Sequence, residues 1–75
     1  MNLISVMKLV PIRNEKGVVY KWDEERMFVN PTTVLRATYR DALKKVVLSM
    51  VNGEEIIIED SLERFAEKFE EGTSV

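Results

Sequence analysis

The 75-residue sequence contains no cysteine and no histidine, and it has only three glycines and two prolines. The absence of cysteine excludes disulfides and thiolate metal sites, and the absence of histidine removes the commonest zinc ligand and neutral-pH general base. We therefore expect no metal site, no cofactor and no catalytic residues, and the protein is predicted not to be an enzyme.

Long apolar runs are also missing, since Lys8 interrupts the apolar N-terminal segment. This pattern predicts neither a membrane span nor a secretion signal, and a cytoplasmic location is expected. The length predicts one domain over residues 1–72 and a disordered tail over residues 73–75. A chain this small buries a modest share of its surface, so we expect a homodimer or a protein partner.

Residues 44–69 contain two apolar runs joined by Asn52-Gly53. Asn-Gly between β-branched runs is typical of a two-residue type I′ hairpin turn. Such a loop pairs Leu48 with Ile57 and Val47 with Ile58, which places large aliphatic side chains on both faces of the hairpin. The second face is therefore expected to be covered by the C-terminal helix, by a curled sheet or by another subunit.

An amphipathic helix is predicted to follow this hairpin. Asp60 is the expected N-cap, Glu63 completes a capping box, and the helix is expected to end near Glu71 with Gly72 at C′. Its apolar stripe, which should lie on the sheet, consists of Leu62, Phe65, Ala66 and Phe69.

The N-terminal half is predicted to form short strands. Residues 2–12 predict a strand whose regular pairing ends at Pro11, and residues 13–17 predict a turn with Gly17 at positive φ. Residues 18–22 and 26–29 predict a second hairpin around the acidic residues 23–25. Trp22 either packs within this hairpin or anchors an interface.

Residues 30–51 allow two interpretations. Asn30 and Pro31 could begin one helix over residues 31–51. The many β-branched residues favour instead a strand over 33–38, a connection over 39–43 and a strand over 45–51. The predicted fold is mostly β, or α+β: an antiparallel meander of five or six short strands with one C-terminal amphipathic helix. The alternative consists of a hairpin, the long helix, a strand and a helix.

Charge is unevenly distributed along the chain. Residues 1–45 carry nine basic and five acidic side chains (+4), whereas residues 46–75 carry two and eight (−6). These charges either keep the surface solvated or meet a partner. The candidate contacts for a nucleic acid or an acidic partner are Arg36, Tyr39, Arg40, Lys44 and Lys45. The candidate interface residues for a protein partner are Leu48, Met50, Ile57 and Trp22.

Several motifs occur in a recognisable order: Phe28-Val29-Asn30-Pro31, Asn52-Gly53-Glu54-Glu55-Ile56, and Glu59-x-Ser61 before the helix. Over about residues 27–70 the chain resembles the FlbD/SwrD family of small flagellar and swarming-motility proteins. The resemblance implies a non-enzymatic accessory role in motility, and the chain departs from the family in its longer segment over residues 11–26. Residues 34–69 also resemble part of a LytTR-type DNA-binding domain. A DNA-binding transcriptional regulator is accordingly the alternative function.

Overall fold

Five antiparallel strands and one α-helix make up the computed structural model, which describes residues 3–73. The sheet order is β2-β1-β5-β4-β3. This confirms the predicted mostly β, α+β fold with five strands, and residues 31–51 do not form one helix. The elements are β1 (Ile4–Arg13), β2 (Val19–Val29), a 3-10 helix (Pro31–Thr33), β3 (Val34–Arg40), β4 (Lys45–Met50), β5 (Glu55–Ile58) and α1 (Leu62–Thr73).

The β4–β5 loop differs from the predicted type I′ turn. Asn52 is not at positive φ, whereas Gly53 is at φ 88°, and Met50 N donates to Glu54 O (2.8 Å). The loop therefore has three residues and ends in a left-handed glycine. The register places Leu48 opposite Ile56 and Val47 opposite Ile57, one residue away from the predicted pairing.

This shift decides which side chains form the core. Since side chains alternate along a strand, the observed register collects five aliphatic residues of β4 and β5 on one face. These are Val46, Leu48, Met50, Ile56 and Ile58, and all of them belong to the buried core. Only Val47 and Ile57 remain as aliphatic residues of this hairpin on the opposite face.

The N-terminal hairpin is longer than predicted. β1 continues through Pro11, which pairs with Trp22, and β2 continues through the acidic residues 23–25. The predicted strand end at Pro11 and the predicted second hairpin are therefore wrong. β5 pairs with β1 only at Lys8, so at Pro11 the edge of β1 away from β2 has no partner strand. The missing amide of Pro11 therefore costs no hydrogen bond of the sheet. β2 is an edge strand, where charged side chains are tolerated.

The turn of this hairpin uses Asn14 and Gly17. Asn14 Oδ1 accepts hydrogen bonds from the Lys16 and Val18 amides, and Gly17 is at φ 79°, as predicted. Residues 10–25 contain no buried side chain, and the molecule measures 47 × 20 × 19 Å. We call residues 10–23 the arm, because this two-stranded ribbon extends beyond the core.

The 3-10 helix connects β2 to β3 and brings the two ends of the sheet together. Asn30 caps it by accepting from the Thr32 amide (3.0 Å), and Pro31 is buried. Val51 N then donates to Thr33 O (2.8 Å). The sheet consequently curls around its apolar face.

Helix α1 covers that apolar face. Ser61, rather than Asp60, is the N-cap, since its Oγ accepts from the Arg64 amide (3.1 Å); the predicted capping box is not formed. Asp60 instead accepts from Lys68 Nζ (2.8 Å), and its side chain is only 5% exposed. Phe65 is buried in the core and Phe69 packs against it, so these two residues of the predicted stripe face the sheet, whereas Leu62 and Ala66 are exposed.

The C-terminal end of α1 also differs from the prediction. Gly72 lies inside the helix, and Thr73, expected in a disordered tail, is its last residue. The rest of that predicted tail, residues 74–75, and residue 2 of the predicted first strand lie outside the described residues.

Gly53→Ala should destabilise the fold by about 1–2 kcal/mol, because a Cβ disfavours the left-handed region. Lys44 is the non-glycine residue at positive φ (55°) among residues 3–73. Lys44→Gly should raise the free energy of unfolding, because glycine adopts this conformation without the penalty of a Cβ. Urea denaturation of the two variants measures both effects, and a Gly53→Ala variant as stable as the wild type would contradict the loop geometry.

Asp60→Ala should lower the free energy of unfolding by about 2–3 kcal/mol, because it removes a buried carboxylate that pairs with Lys68. The control is Asp23→Ala, which removes an exposed ion pair with Lys21 at 4.0 Å and should change stability by less than about 0.5 kcal/mol. Thermal and chemical denaturation distinguish the two. Equal effects would show that α1 is not anchored through Asp60.

Candidate interaction surfaces

The sheet face opposite α1, here called the outer face, carries an ion pair that spans three strands. Arg40 on β3 donates through Nη2 to Glu55 Oε2 (2.9 Å) and through Nη1 to Oε1 (3.5 Å) on β5. The register places Val47 of β4 between them on the same face. Val47 is 0% exposed, so the outer face at this point is already covered by other parts of the same chain.

The predicted basic cluster does not form one surface. Lys45 pairs with Glu59 at 3.1 Å, and Arg40 pairs with Glu55. Tyr39 lies opposite Val46 on the apolar face, and Lys44 lies in the β3–β4 turn. Arg36 shares the outer face with Arg40.

A nucleic acid would therefore have to compete with Glu55 and Glu59 for two of the five candidate residues. Counterion release, which drives nucleic-acid binding, needs cationic side chains that are available to phosphates. The arrangement does not favour the DNA-binding alternative, which stays a prediction.

The charges around Glu55 change its proton affinity. The hydrogen bonds and the positive charge of Arg40 lower the pKa of the Glu55 carboxyl below its ordinary value of 4.5, and Arg36 lowers it further. Glu55 therefore stays ionised at neutral pH. The pairing was not visible in the sequence, because the predicted register placed Glu55 opposite Met50 instead of Ser49.

The candidate interface residues fall in three different places. Leu48 and Met50 are buried in the core of the same chain, so neither is available to a partner. Ile57 lies half-buried on the outer face, and Trp22 lies half-buried on the arm. The structure thus separates the four residues, and none of them marks a shared surface.

An apolar groove that sequence reasoning missed runs between β3 and α1. It has a volume of about 390 Å³, and its lining includes Val34, Leu35, Ala37, Leu62 and Ala66. Leu35 is 70% exposed and sits where the β3–β4 register shifts between Val34 and Arg36. The sequence signal for this groove was Leu35 together with the apolar stripe of α1, because the stripe contains more apolar residues than the core buries.

The arm presents a second apolar surface. Val18 and Tyr20 are 57% and 66% exposed, and Pro11 pairs with Trp22 across the ribbon. A two-stranded ribbon is marginally stable by itself in water, because it has no third layer to bury its side chains. The arm is thus the part of the described chain with the least internal cover.

Within residues 3–73 there is no group of three or more acidic side chains placed to hold a metal ion, and no buried side-chain polar atom lacks a hydrogen-bond partner. No helix in this range has the length and apolarity needed to cross a membrane.

Comparison with known proteins adds no relationship to these observations. No family model matches the sequence, no curated protein matches it, and no solved structure matches the fold.

Arg40→Ala should raise the pKa of Glu55 toward 4.5, because it removes the hydrogen bonds and most of the nearby positive charge. Since the folded pKa is depressed, the stability from this pair is present above pH 4.5 and is lost as pH falls through the folded pKa. Carboxyl-carbon NMR shifts followed against pH measure the midpoint.

The control for this titration is Lys45→Ala, which removes the partner of Glu59 and should leave the Glu55 midpoint unchanged. A wild-type midpoint at or above 4.5 would show that the ion pair does not persist in solution.

Proposed function

We propose that the protein is a non-catalytic accessory protein that acts in the cytoplasm through protein contacts, in a motility-related process. The observation that carries the interaction role is the arm. It extends from the core with no buried side chain over residues 10–23, and it exposes Val18 and Tyr20. Exposed aromatic and aliphatic side chains on a projecting element are typical of protein recognition.

The arm is suited to recognition by side chains rather than by strand addition. Pro11 removes an amide from the free edge of β1, and Asp23, Glu24 and Glu25 place negative charges along the edge strand β2. Both the proline and the acidic side chains discourage pairing with another strand. The partner is therefore expected to contact the apolar side chains near the tip, Val18 and Tyr20 above all.

The motility assignment is supported by the resemblance to the FlbD/SwrD family over about residues 27–70. The motif residues of that region have structural roles here: Val29 and Pro31 are buried, and Asn30 caps the 3-10 helix. The arm lies within one of the segments in which the chain departs from the family; Arg36 and residues 39–45 are the other departures. We infer that the shared part supplies the scaffold and that the arm supplies the choice of partner.

The test is complementation of a strain from which the gene has been deleted, measured as spreading in soft agar. The wild-type chain should restore spreading, and a Val18→Ser/Tyr20→Ser variant should lose most of it at equal protein level, because the arm loses its apolar contacts. Val51→Ser changes a side chain of similar exposure (55%) on the β4–β5 loop and should restore spreading fully.

Two results would overturn separate parts of this proposal. A deletion strain that spreads like its parent would remove the motility role. Full rescue by the arm variant, with motility lost in the deletion strain, would show that the partner contacts another surface.

A further inference from the structure

The sheet has two open edges, β2 and β3, and they differ in chemistry. The β2 edge carries the acidic residues 23–25 and belongs to the arm. The β3 edge, Val34–Arg40, contains no proline and no acidic residue. Its register with β4 is irregular between Val34 and Arg36 and regular from Arg36 to Arg40. Over these five residues the outer backbone groups of β3 have no neighbouring strand, and such groups can pair with another chain.

The two faces of β3 are chemically different. Side chains alternate along a strand, so the register with β4 places Arg36, Thr38 and Arg40 on the outer face. Ala37 and Tyr39 lie on the apolar face. A strand added at this edge continues both faces, and its alternate side chains must therefore match a basic surface on one side and an apolar surface on the other.

On the apolar face, an added strand would border the groove between β3 and α1. Leu35 is 70% exposed, Tyr39 48% and Leu62 of α1 37%, and aliphatic and aromatic side chains make up most of the groove lining. The acidic residue of that lining, Glu70, belongs to α1 and not to the outer face. Large apolar side chains of a partner would remove this surface from water, which is favourable.

On the outer face, two arginines share one carboxylate. Both oxygens of Glu55 accept from Arg40, at 2.9 and 3.5 Å. Arg36 lies close enough for its charge to lower the pKa of Glu55, yet none of the ion pairs formed within residues 3–73 includes Arg36. Arg36 is exposed, so the outer face of β3 has one positive charge that a carboxylate from a partner can neutralise.

We propose that β3 binds an extended segment of another protein in which acidic side chains alternate with large apolar ones. The backbone of the segment pairs with the open edge, its apolar side chains cover Leu35 and Tyr39, and one of its carboxylates pairs with Arg36. A second copy of β3 would instead add two arginines and no carboxylate to the outer face, so the charges select against it. The surface is separate from the arm, and the inference does not rest on the proposed function.

The test uses a synthetic peptide with blocked ends, Gly-Ile-Glu-Val-Glu-Val-Glu-Ile-Gly, added to the isotope-labelled protein. Amide NMR shifts should move at residues 34–40 and stay unchanged at the tip of the arm. One control peptide has lysine in place of each glutamate, and a second groups the same residues into an apolar block and an acidic block. Both controls should bind at least about tenfold more weakly, because the first reverses the charge and the second removes the alternation.

Two N-methylated forms of the peptide test backbone pairing. One form is methylated on the three glutamates and the other on the isoleucines and valines. Alternate amides of a strand point to opposite sides, so only one set faces β3. One form should therefore lose binding and the other should retain it.

Two pairs of variants locate the contacts, with circular dichroism to show that each is folded. Arg36→Glu should raise the dissociation constant of the peptide at least about tenfold. Lys16→Glu changes the net charge equally at the turn of the arm and should change that constant less than about twofold. Leu35→Ser should weaken binding about fivefold or more, whereas Phe28→Ser, at a side chain of comparable exposure (63%), should leave it unchanged.

Four outcomes would overturn the proposal. The first is the absence of shifts at residues 34–40 with the peptide at millimolar concentration. The second is equal binding by the lysine peptide or by the folded Arg36→Glu variant. The third is an equal loss of binding by both methylated peptides, which would exclude strand pairing. The fourth is a set of shifts at residues 34–40 that follows protein concentration without peptide, which would assign the edge to a second copy.

Discussion

The register of the β4–β5 hairpin is the constraint on which the rest of the structure depends. One left-handed residue, Gly53, ends a three-residue loop and sets Leu48 opposite Ile56. That pairing gathers the large aliphatic side chains on the face that α1 covers, and it moves Glu55 to the face that carries Arg40. A slip of one residue would reverse β5 relative to β4 and would divide the core between two faces. Both the packing of the helix and the ion pair on the outer face follow from the observed register.

The charged side chains of this chain serve its own fold more than an outside partner. Asp60 is almost fully buried and pairs with Lys68, which also donates to Ser5 O (3.3 Å), so one lysine joins the start of α1 to β1. Arg40 pairs with Glu55, and Lys45 pairs with Glu59. The basic excess of the first 45 residues and the acidic excess of the remainder are in part the two halves of these contacts. The apolar surfaces left with least cover are the arm and the groove beside β3.

Element types were predictable from the sequence because β-branched runs, Asn14–Gly17 and the Ser61–Phe69 pattern each indicate one structure. Residues 34–50 were correctly assigned as two strands, since β-branched residues outweighed the helical spacing. The errors came where local patterns leave several geometries open. Asn-Gly fits both a type I′ turn and a loop ending in glycine, and the acidic residues 23–25 resemble a turn until β1 is seen to pair with them. The groove depends on the distance between β3 and α1, which no local pattern contains.

The contact between Lys68 and Ser5 has a practical consequence for handling the protein. It fixes the last turns of α1 beside the first residues of β1, and Leu3, Ile4, Glu71 and Gly72 line one shared depression. β1 then runs nine residue steps from Ile4 to Arg13, about 30 Å at 3.3 Å per step, before the arm turns back. A fluorophore or an immobilising group attached through a cysteine at Leu3, which is 61% exposed, is therefore held far from the tip of the arm, and the tip stays open to solvent when the protein is fixed to a surface.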